Sequence, residues 1–492
     1  MSRHHETVIS PVAGIHRRRA RRIPQSPGQS CPGNTQGEPL TRNSRRLVSF
    51  LAAATIASTL AACGGDDDGG GGGGGGGGGT AEDNEATDPG MTEDTVLIGA
   101  HYPLTGPAAP GYSEIPTGVQ AYFDYVNANG GVYDRQIEWR YLDDGYNPTN
   151  TGQVVNQLVL EDEIFAMMGG LGTATHNAAL DLLNGEGVPD FFVASGSSLW
   201  DNPEENPYTF GWQTDYESEG KIIGQYIAEN LPDAKVGLFL QDDDFGEDGE
   251  RGVRQYLDDD QIVEVQTYTS GNTDLGAQIS ALQASGADFV VGFNTPIYTA
   301  LARITAQQLG YDPEWFVSNV GSDPQLVGSL LERFSQGAIS GSAPLEGTYT
   351  TDYLPTVDEV DNPWVQLFQQ VWEESGQEGE LTNFRIYGMS QAYTMVQALQ
   401  AAGRNPTRDD LVEALEEAGG DFQGPALAPF RYSADRHAGI SGMAVSRINA
   451  DGSGEALTPV LVTDVGDAEI EEFDGEASTP PENGIPDEEA IG

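Results

Sequence analysis

Three groups of residues carry chemistry by type and spacing. Gly169-Gly170-Leu171-Gly172-Thr173-Ala174-Thr175 and Ala194-Ser195-Gly196-Ser197-Ser198 set hydroxyls among glycines. Glycine lets a backbone approach a ligand closely. Thr173 also opens a helical pattern, where free amides favour an anion. A plain N-cap would call for the same residue. The third group, Asp242-Asp243-Asp244, suggests calcium. However, Gly246 falls at the fifth position of that loop, where an EF-hand needs glycine at the sixth, so a solvated acidic surface is the better reading. A hydrolase needs a nucleophile, a base and an orienter in reach. Gly-x-Ser-x-Gly is absent, and His101, His176 and His437 have no obvious partners along the chain. His176 reads as a helix-surface residue. No P-loop is present, so any ATP chemistry belongs to a partner. The expectation is a chain that is not an enzyme, with no metal and no cofactor.

Cys63 closes Leu60-Ala61-Ala62-Cys63, after an uncharged run from Leu47 to Ala62 that follows Arg42, Arg45 and Arg46. A basic region, a short apolar core and small residues before a cut site make a secretory signal. The alternative is a transmembrane helix, but 16 residues rich in Ala, Ser and Thr fall short of the roughly 20 needed to span a bilayer. A cysteine just after the cut resembles the bacterial lipobox, which implies cleavage before Cys63 and a diacylglycerol on its thiol. Ser44-Arg45-Arg46 hints at twin-arginine export. The arginines at positions 17–19 and 21–22 lie too far upstream for an n-region. They read either as a nucleic-acid-binding cluster or, better, as part of a start-site extension over residues 1–39, with translation beginning at Leu40. Residues 40–62 are then the signal peptide, and 63–93, with its glycine run, a flexible tether.

The chain holds 23 basic and 76 acidic residues; from Cys63 onward 14 basic and 74 acidic remain, with Lys221 and Lys235 the only lysines. Such a charge excludes nucleic acid as a default partner. Recurring apolar runs exclude wholesale disorder, so the acidity reads as a solvated surface suited to salt, where counterions screen self-repulsion. With Cys31 in the removed part and Cys63 lipidated, the mature fold has no disulfide.

Strand and helix patterns alternate. Strands are predicted near Thr95–His101, Gln136–Leu142, Ile164–Met168 and Asp190–Ala194, and again near Lys235–Gln241, Ile262–Thr269, Asp288–Phe293 and Trp315–Ser318. Helical patterns fall between them, and long ones cover Asn362–Glu374 and Asn383–Ala402; Thr407 caps a further one. Pro429–Tyr432 and Met443–Asn449 read as later strands. Alternation of this kind predicts an α/β fold with parallel sheets covered by helices, here in two Rossmann-like lobes. Beyond Asp464 the chain is acidic and is expected to fray.

From about Asp94 to Asn449 the chain resembles the extracellular solute-binding proteins of ABC importers, in the leucine/isoleucine/valine-binding class. The residues that carry this are Pro103-Leu104-Thr105-Gly106-Pro107, Asn127-Ala128-Asn129-Gly130-Gly131, Asp143-Asp144 with Asn147-Pro148, Asp242 with Phe245-Gly246, and His437-Ala438-Gly439. The resemblance implies a type I periplasmic-binding fold with a three-stranded hinge. Lobe 1 is then residues 94–213 and 348–430, lobe 2 residues 216–340 and 435–464, and 465–492 an acidic tail. Crossings are expected at Gln213–Tyr216, Ser340–Gly347 and Phe430–Asp435. Ligand would sit between the lobes, and parallel sheets do bind ligands at the carboxyl ends of their strands.

In that family the loops carrying Thr173, Ala174, Thr175 and Ser195, Gly196, Ser197 hold a ligand carboxylate. Tyr112 would be an aromatic wall or a loop residue; Trp200 would line the mouth or pack between loops. Asn294, Tyr298 and Asn319 are the expected lobe 2 contacts. Val320 stands where amino-acid-binding members carry an acid for the α-ammonium, which argues against a standard branched-chain amino acid; a carboxylate, an amino-acid-like solute or an amide fits. The implied partners are ABC permease and ATPase subunits, with the membrane reached through lipid on Cys63 and the protein outside the cytoplasm. The alternative is a solute sensor of the same fold feeding a signalling partner.

Overall fold

A computed structural model describes residues 83–486. Cys31, Cys63, the expected start-site extension and the signal lie outside them. Strands β1 (Thr95–Tyr102), β2 (Gln136–Asp143), β3 (Ala166–Met168), β4 (Asp190–Val193) and β5 (Thr209–Gly211) form a parallel sheet in the order β2-β1-β3-β4-β5. A second sheet contains β6 (Val236–Gln241), β7 (Ile262–Tyr268), β8 (Phe289–Phe293), β9 (Glu314–Val317), β10 (Tyr349–Asp352), β11 (Gly442–Ile448), β12 (Gly454–Ala456), β13 (Leu461–Val462) and β14 (Glu471–Glu472). Its order is β14-β13-β11-β10-β9-β8-β6-β7, with β12 beside β11. Strands β3 and β4 are buried along their whole length, as unbroken apolar runs covered on both faces should be.

The first sheet carries α1 (Ala109–Tyr112), α2 (Ile115–Ala128), α3 (Pro148–Leu160), α4 (Thr173–Asn177) and α5 (Leu180–Gly185); the second carries α6 (Tyr216–Asn230), α7 (Asp244–Val253), α8 (Gly276–Ser285), α9 (Pro296–Leu309) and α10 (Pro324–Phe334). Helices α11 (Pro363–Ser375), α12 (Asn383–Ala401) and α13 (Arg408–Ala418) return to the first lobe, where Tyr122 of α2 packs against Phe368 and Tyr393. Local chemistry sets the ends. The Asn147 side chain accepts from the Thr149 amide at 3.0 Å ahead of Pro148, and Thr407 forms a reciprocal capping box with Asp410. Asn147→Ala is expected to cost about 1 kcal/mol, read as a lower melting temperature; an unchanged melt would mean that Pro148 alone fixes the start of α3.

The fold class is as expected, and three details differ. Strand β10 pairs parallel with β9 and antiparallel with β11, so the second crossing follows Asp352 rather than falling at Ser340–Gly347. The β-branched and aromatic run Thr348–Tyr353 is what completes that sheet. Pro429–Tyr432 is not a strand but contributes one bridge, Phe430 to Ile440. Residues 465–486 do not fray. Lys221 donates from Nζ to the carbonyls of Asp464 (2.6 Å), Gly466 (3.0 Å) and Ala468 (2.6 Å). Farther on, Trp364 Nε1 donates to Ser478 O at 2.9 Å, Tyr122 Oη to Gly484 O at 2.8 Å and Gln400 to Pro486 O at 2.9 Å. The end of the expected tether is likewise held, since Asn84 bonds Glu93 and Tyr133 while the Glu85 amide donates to Asn405. Among the described residues no helix is long and apolar enough to cross a membrane.

Candidate functional site

A cavity of about 180 Å³ lies between the lobes, beside the carboxyl ends of their parallel strands. Lobe 1 contributes Tyr112, Tyr146, Leu171, Gly172, Thr173 and Tyr387 to its wall; lobe 2 contributes Phe245, Thr295, Asn319, Val320 and Asp323. Gln213, Tyr216, Thr350, Asp352 and Tyr353 enter from the crossing segments. The lobes touch across it. Tyr112 Oη donates to Val320 O at 3.4 Å, Asn383 Nδ2 to Asp323 at 2.8 Å, and the Ser198 amide to Asp248 at 2.8 Å.

The polar groups are unevenly placed. Thr173 Oγ1 and Ser195 Oγ share a hydrogen bond of 2.8 Å, and burial raises the nearby Tyr216 phenol, against the Gly196 backbone and the Ser195 and Thr173 hydroxyls. Opposite, Thr350 Oγ1 is buried with no hydrogen-bond partner in the protein. Burial pushes the Asp352 carboxyl up to about 6, with Glu359, Asp358 and Glu219 adding to the push and Ser446 opposing it. Burial also raises Asp323, against hydrogen bonds from Leu326 and Asn383. Glu219, fully buried, accepts from Ser318 Oγ at 2.9 Å and from the Asn319 amide at 2.9 Å. It braces Asn319, and its carboxyl is raised by burial. Burial holds the phenols of Tyr112, Tyr353 and Tyr387 well above their ordinary range, so the aromatic wall is uncharged.

Of the expected site residues, Tyr112, Thr173 and Asn319 stand in the cavity wall. Ser195, Gly196 and Ser197 line a smaller pocket beside it. A Cβ on Gly196 would lie 2.7 Å from Thr214 O, so glycine there serves the crossing chain. Four residues line neither pocket. Ala174 is exposed on the far side of α4, and Thr175 turns back to donate to Leu171 O. Asn294 donates to Thr299 inside lobe 2. Tyr298 stacks on Tyr268 at 3.8 Å and accepts from the Gly271 amide at 2.6 Å. Asn294, in the turn before α9, and Tyr298, in its first turn, are both buried in lobe 2. Trp200 packs between loops, edge-on to His176. Asp323 caps α10 through the Leu326 amide at 2.7 Å and still reaches the cavity. Sequence reasoning missed Asp352, Thr350, Tyr353 and Tyr387. Among the described residues no group of three or more His, Cys, Asp or Glu side chains is arranged to hold a metal ion.

Comparison with known proteins bears on the fold and the family. A family profile described as periplasmic binding protein matches residues 95–453. The Leu/Ile/Val-binding protein homolog 2 of Brucella abortus (strain 2308) is 27% identical over 356 residues, covering 69% of this chain and 90% of its own. A branched chain amino acid ABC transporter protein from Thermus thermophilus, solved with bound valine, superposes with a TM-score of 0.64 at 22% identity, covering 75% of this chain and 96% of its own. A fatty acid ABC transporter substrate-binding protein from Thermomonospora curvata superposes with a TM-score of 0.65 at 20% identity, covering 77% and 95%.

Proposed function

We propose a solute-capturing role for this chain, which belongs to the periplasmic binding protein family. It takes up a small amino-acid-like zwitterion in the interlobe cavity and passes it to ABC permease and ATPase subunits. The observation that carries this reading is the pairing of opposite polarities across one cavity. The Thr173 hydroxyl, backed by Ser195, lies on one wall, and the raised Asp352 carboxyl beside the unpartnered Thr350 hydroxyl lies on another. A buried hydroxyl without a partner and a desolvated carboxyl both cost free energy, and a ligand that donates hydrogen bonds and carries an ammonium relieves both. Asp352 thus takes the part for which Val320 has no chemistry. The names of relatives that bind leucine, isoleucine and valine, and the valine in the Thermus protein, support the amino-acid class. The aromatic wall suits an apolar side chain.

A thermal-shift screen in high salt against amino acids, simple carboxylates and amides tests this. Amino acids with apolar side chains are expected to raise the melting temperature most. Thr173→Ala and Ser195→Ala should each weaken the best ligand about tenfold, one charge-assisted hydrogen bond's worth. Unchanged affinity in both would remove the hydroxyl pair from the site. We further propose that Cys63 carries lipid outside the cytoplasm and holds the domain near its permease. Cys63→Ala should release the protein from membranes, and retention would sink the anchor.

A further inference from the structure

His101 and His176 lie next to the cavity wall and are fully buried, as are Asp144 and Asp190. The four side chains form a line. Asp144 Oδ2 lies 2.8 Å from His101 Nδ1, His101 Nε2 2.9 Å from His176 Nδ1, and His176 Nε2 2.8 Å from Asp190 Oδ2. The rings are nearly coplanar, 14° apart. The charged groups facing the two rings are these two carboxylates. The rest of the shell is neutral: Thr151 of α3 donates to Asp144 at 2.9 Å, Thr209 of β5 donates to Asp190 at 2.9 Å, and the Trp200 ring meets His176 edge-on.

The number of protons follows from the contacts. Each of the three needs one proton between its two heavy atoms. Two neutral imidazoles supply two, so the line holds a third, and its four side chains together carry one negative charge. This holds whether the third proton rests on a ring or on a carboxyl. A further proton would set two hydrogens face to face in one contact, or would sit on Asp190 Oδ1, which is buried with no acceptor to receive it; one fewer would oppose two lone pairs. Burial lowers the proton affinity of His101, against the pull of Asp144, which disfavours the further proton.

Asp144 and His176 tie the line to the loops of the cleft. The other oxygen of Asp144 accepts from the Tyr146 amide at 2.8 Å, and Tyr146 lines the cavity. His176 belongs to α4, whose first residue is Thr173, and its amide donates to Gly172 O at 2.9 Å. Gly170 marks how tightly the loop sits on the rings: a Cβ there would lie 2.3 Å from His176 Nδ1 and 2.7 Å from His101 Nε2.

We propose that this Asp–His–His–Asp line is the positioning device of the lobe 1 side of the cleft, holding one proton per contact and fixing loop 143–147 and loop 169–177 as a single unit. The importance of those loops to a ligand rests on the function proposed above; the line itself does not. His101 and His176 are positioning residues, and gain or loss of one proton releases both loops together.

Histidine-selective 15N labelling of the full chain tests the proton count. At pH 7 in high salt, three slowly exchanging ring N–H or shared protons are expected across the line; two or four would overturn the proposal. Backbone hydrogen exchange, corrected for its intrinsic pH dependence, tests the coupling. On acidification residues 143–147 and 169–177 should both speed up at least tenfold over the same pH step, before β1 does. Release at different pH values, or only together with β1, would overturn it. Gly170→Ala changes no titratable group but wedges the rings apart, and it should loosen both loops at pH 7. Loosening of one loop alone would overturn the coupling. If that variant fails to fold, the acidification series on the unaltered chain decides. No ligand enters these readouts, so failure of the solute screen leaves them standing.

Discussion

An Asp352→Asn chain is expected to melt above the unaltered chain at pH 7–8 and together with it near pH 4. Burial raises the Asp352 carboxyl from 3.8 to about 6 in the folded protein. Between those values the folded state binds the proton and the unfolded state does not, so stability falls as pH rises through that window. Above the folded value the loss is complete. Two units correspond to about 3 kcal/mol; partial contact of this residue with water brings the expectation to about 2 kcal/mol. The amide carries no charge to bury, so its gain appears only above the window. Melts at pH 4, 5, 6, 7 and 8 in constant high salt measure this, and parallel curves across the range would contradict it. The same variant should weaken an amino-acid ligand ten- to a hundredfold while sparing carboxylates that lack an ammonium. In the unaltered chain, an ammonium beside Asp352 lowers its proton affinity, so ligand binding near pH 6 should release protons, measurable by calorimetry in buffers of different ionisation enthalpy.

Lys221→Met should detach the C-terminal segment. The buried ammonium donates to the backbone carbonyls of Asp464, Gly466 and Ala468, and the Thr463 hydroxyl reaches two of them, Asp464 and Ala468, only at 3.5 Å. The thioether fills the space but donates nothing. Losing three hydrogen bonds from a charged donor, with water able to reach part of the segment, costs about 3 kcal/mol. Residues beyond 464 would then become the first site of proteolytic cutting, ahead of any loop in either lobe. Mass spectrometry of early fragments reads this out. Arginine is not expected to rescue it, because a planar guanidinium cannot turn three donors into one small cage. A methionine variant with an unchanged fragment pattern would show that the contacts farther along hold the segment without the lysine.

Periodicity carried most of the fold into view. Strands such as β1 and β6 read clearly because each is an unbroken apolar run between helical patterns. The loops after β3 and β4 were legible as cleft loops because glycine and hydroxyl residues follow strand ends. What stayed hidden depends on distant segments meeting. His176 reads as a surface residue until Asp190 and His101 come from two strands to bury it. Asp352 sits in a short Thr- and Tyr-rich strand that is easily taken for a linker, and its raised carboxyl is a property of the burial around it. Position alone suggests Asn294 and Tyr298, but which way such side chains face depends on partners such as Thr299 and Gly271, which the sequence does not show to be near. The acidic tail reads as unstructured by composition, yet Lys221 takes two of its carbonyls and Trp364 and Tyr122 one each.

That tail has a mechanical consequence for the cleft. Phe473 is fixed to the second lobe through its amide on Val460 O at 2.9 Å, and Ser478 to the first through its hydroxyl on Gly424 O. Four residues of chain lie between the two anchors, and the five steps from Phe473 to Ser478 reach at most about 17 Å when fully extended. The gap between those points therefore has a fixed maximum, whatever the three hinge segments allow. The tail acts as a check-strap: however the lobes part, their travel ends where the strap goes taut. A docking partner that pulls the lobes wider than this must first unhook one anchor.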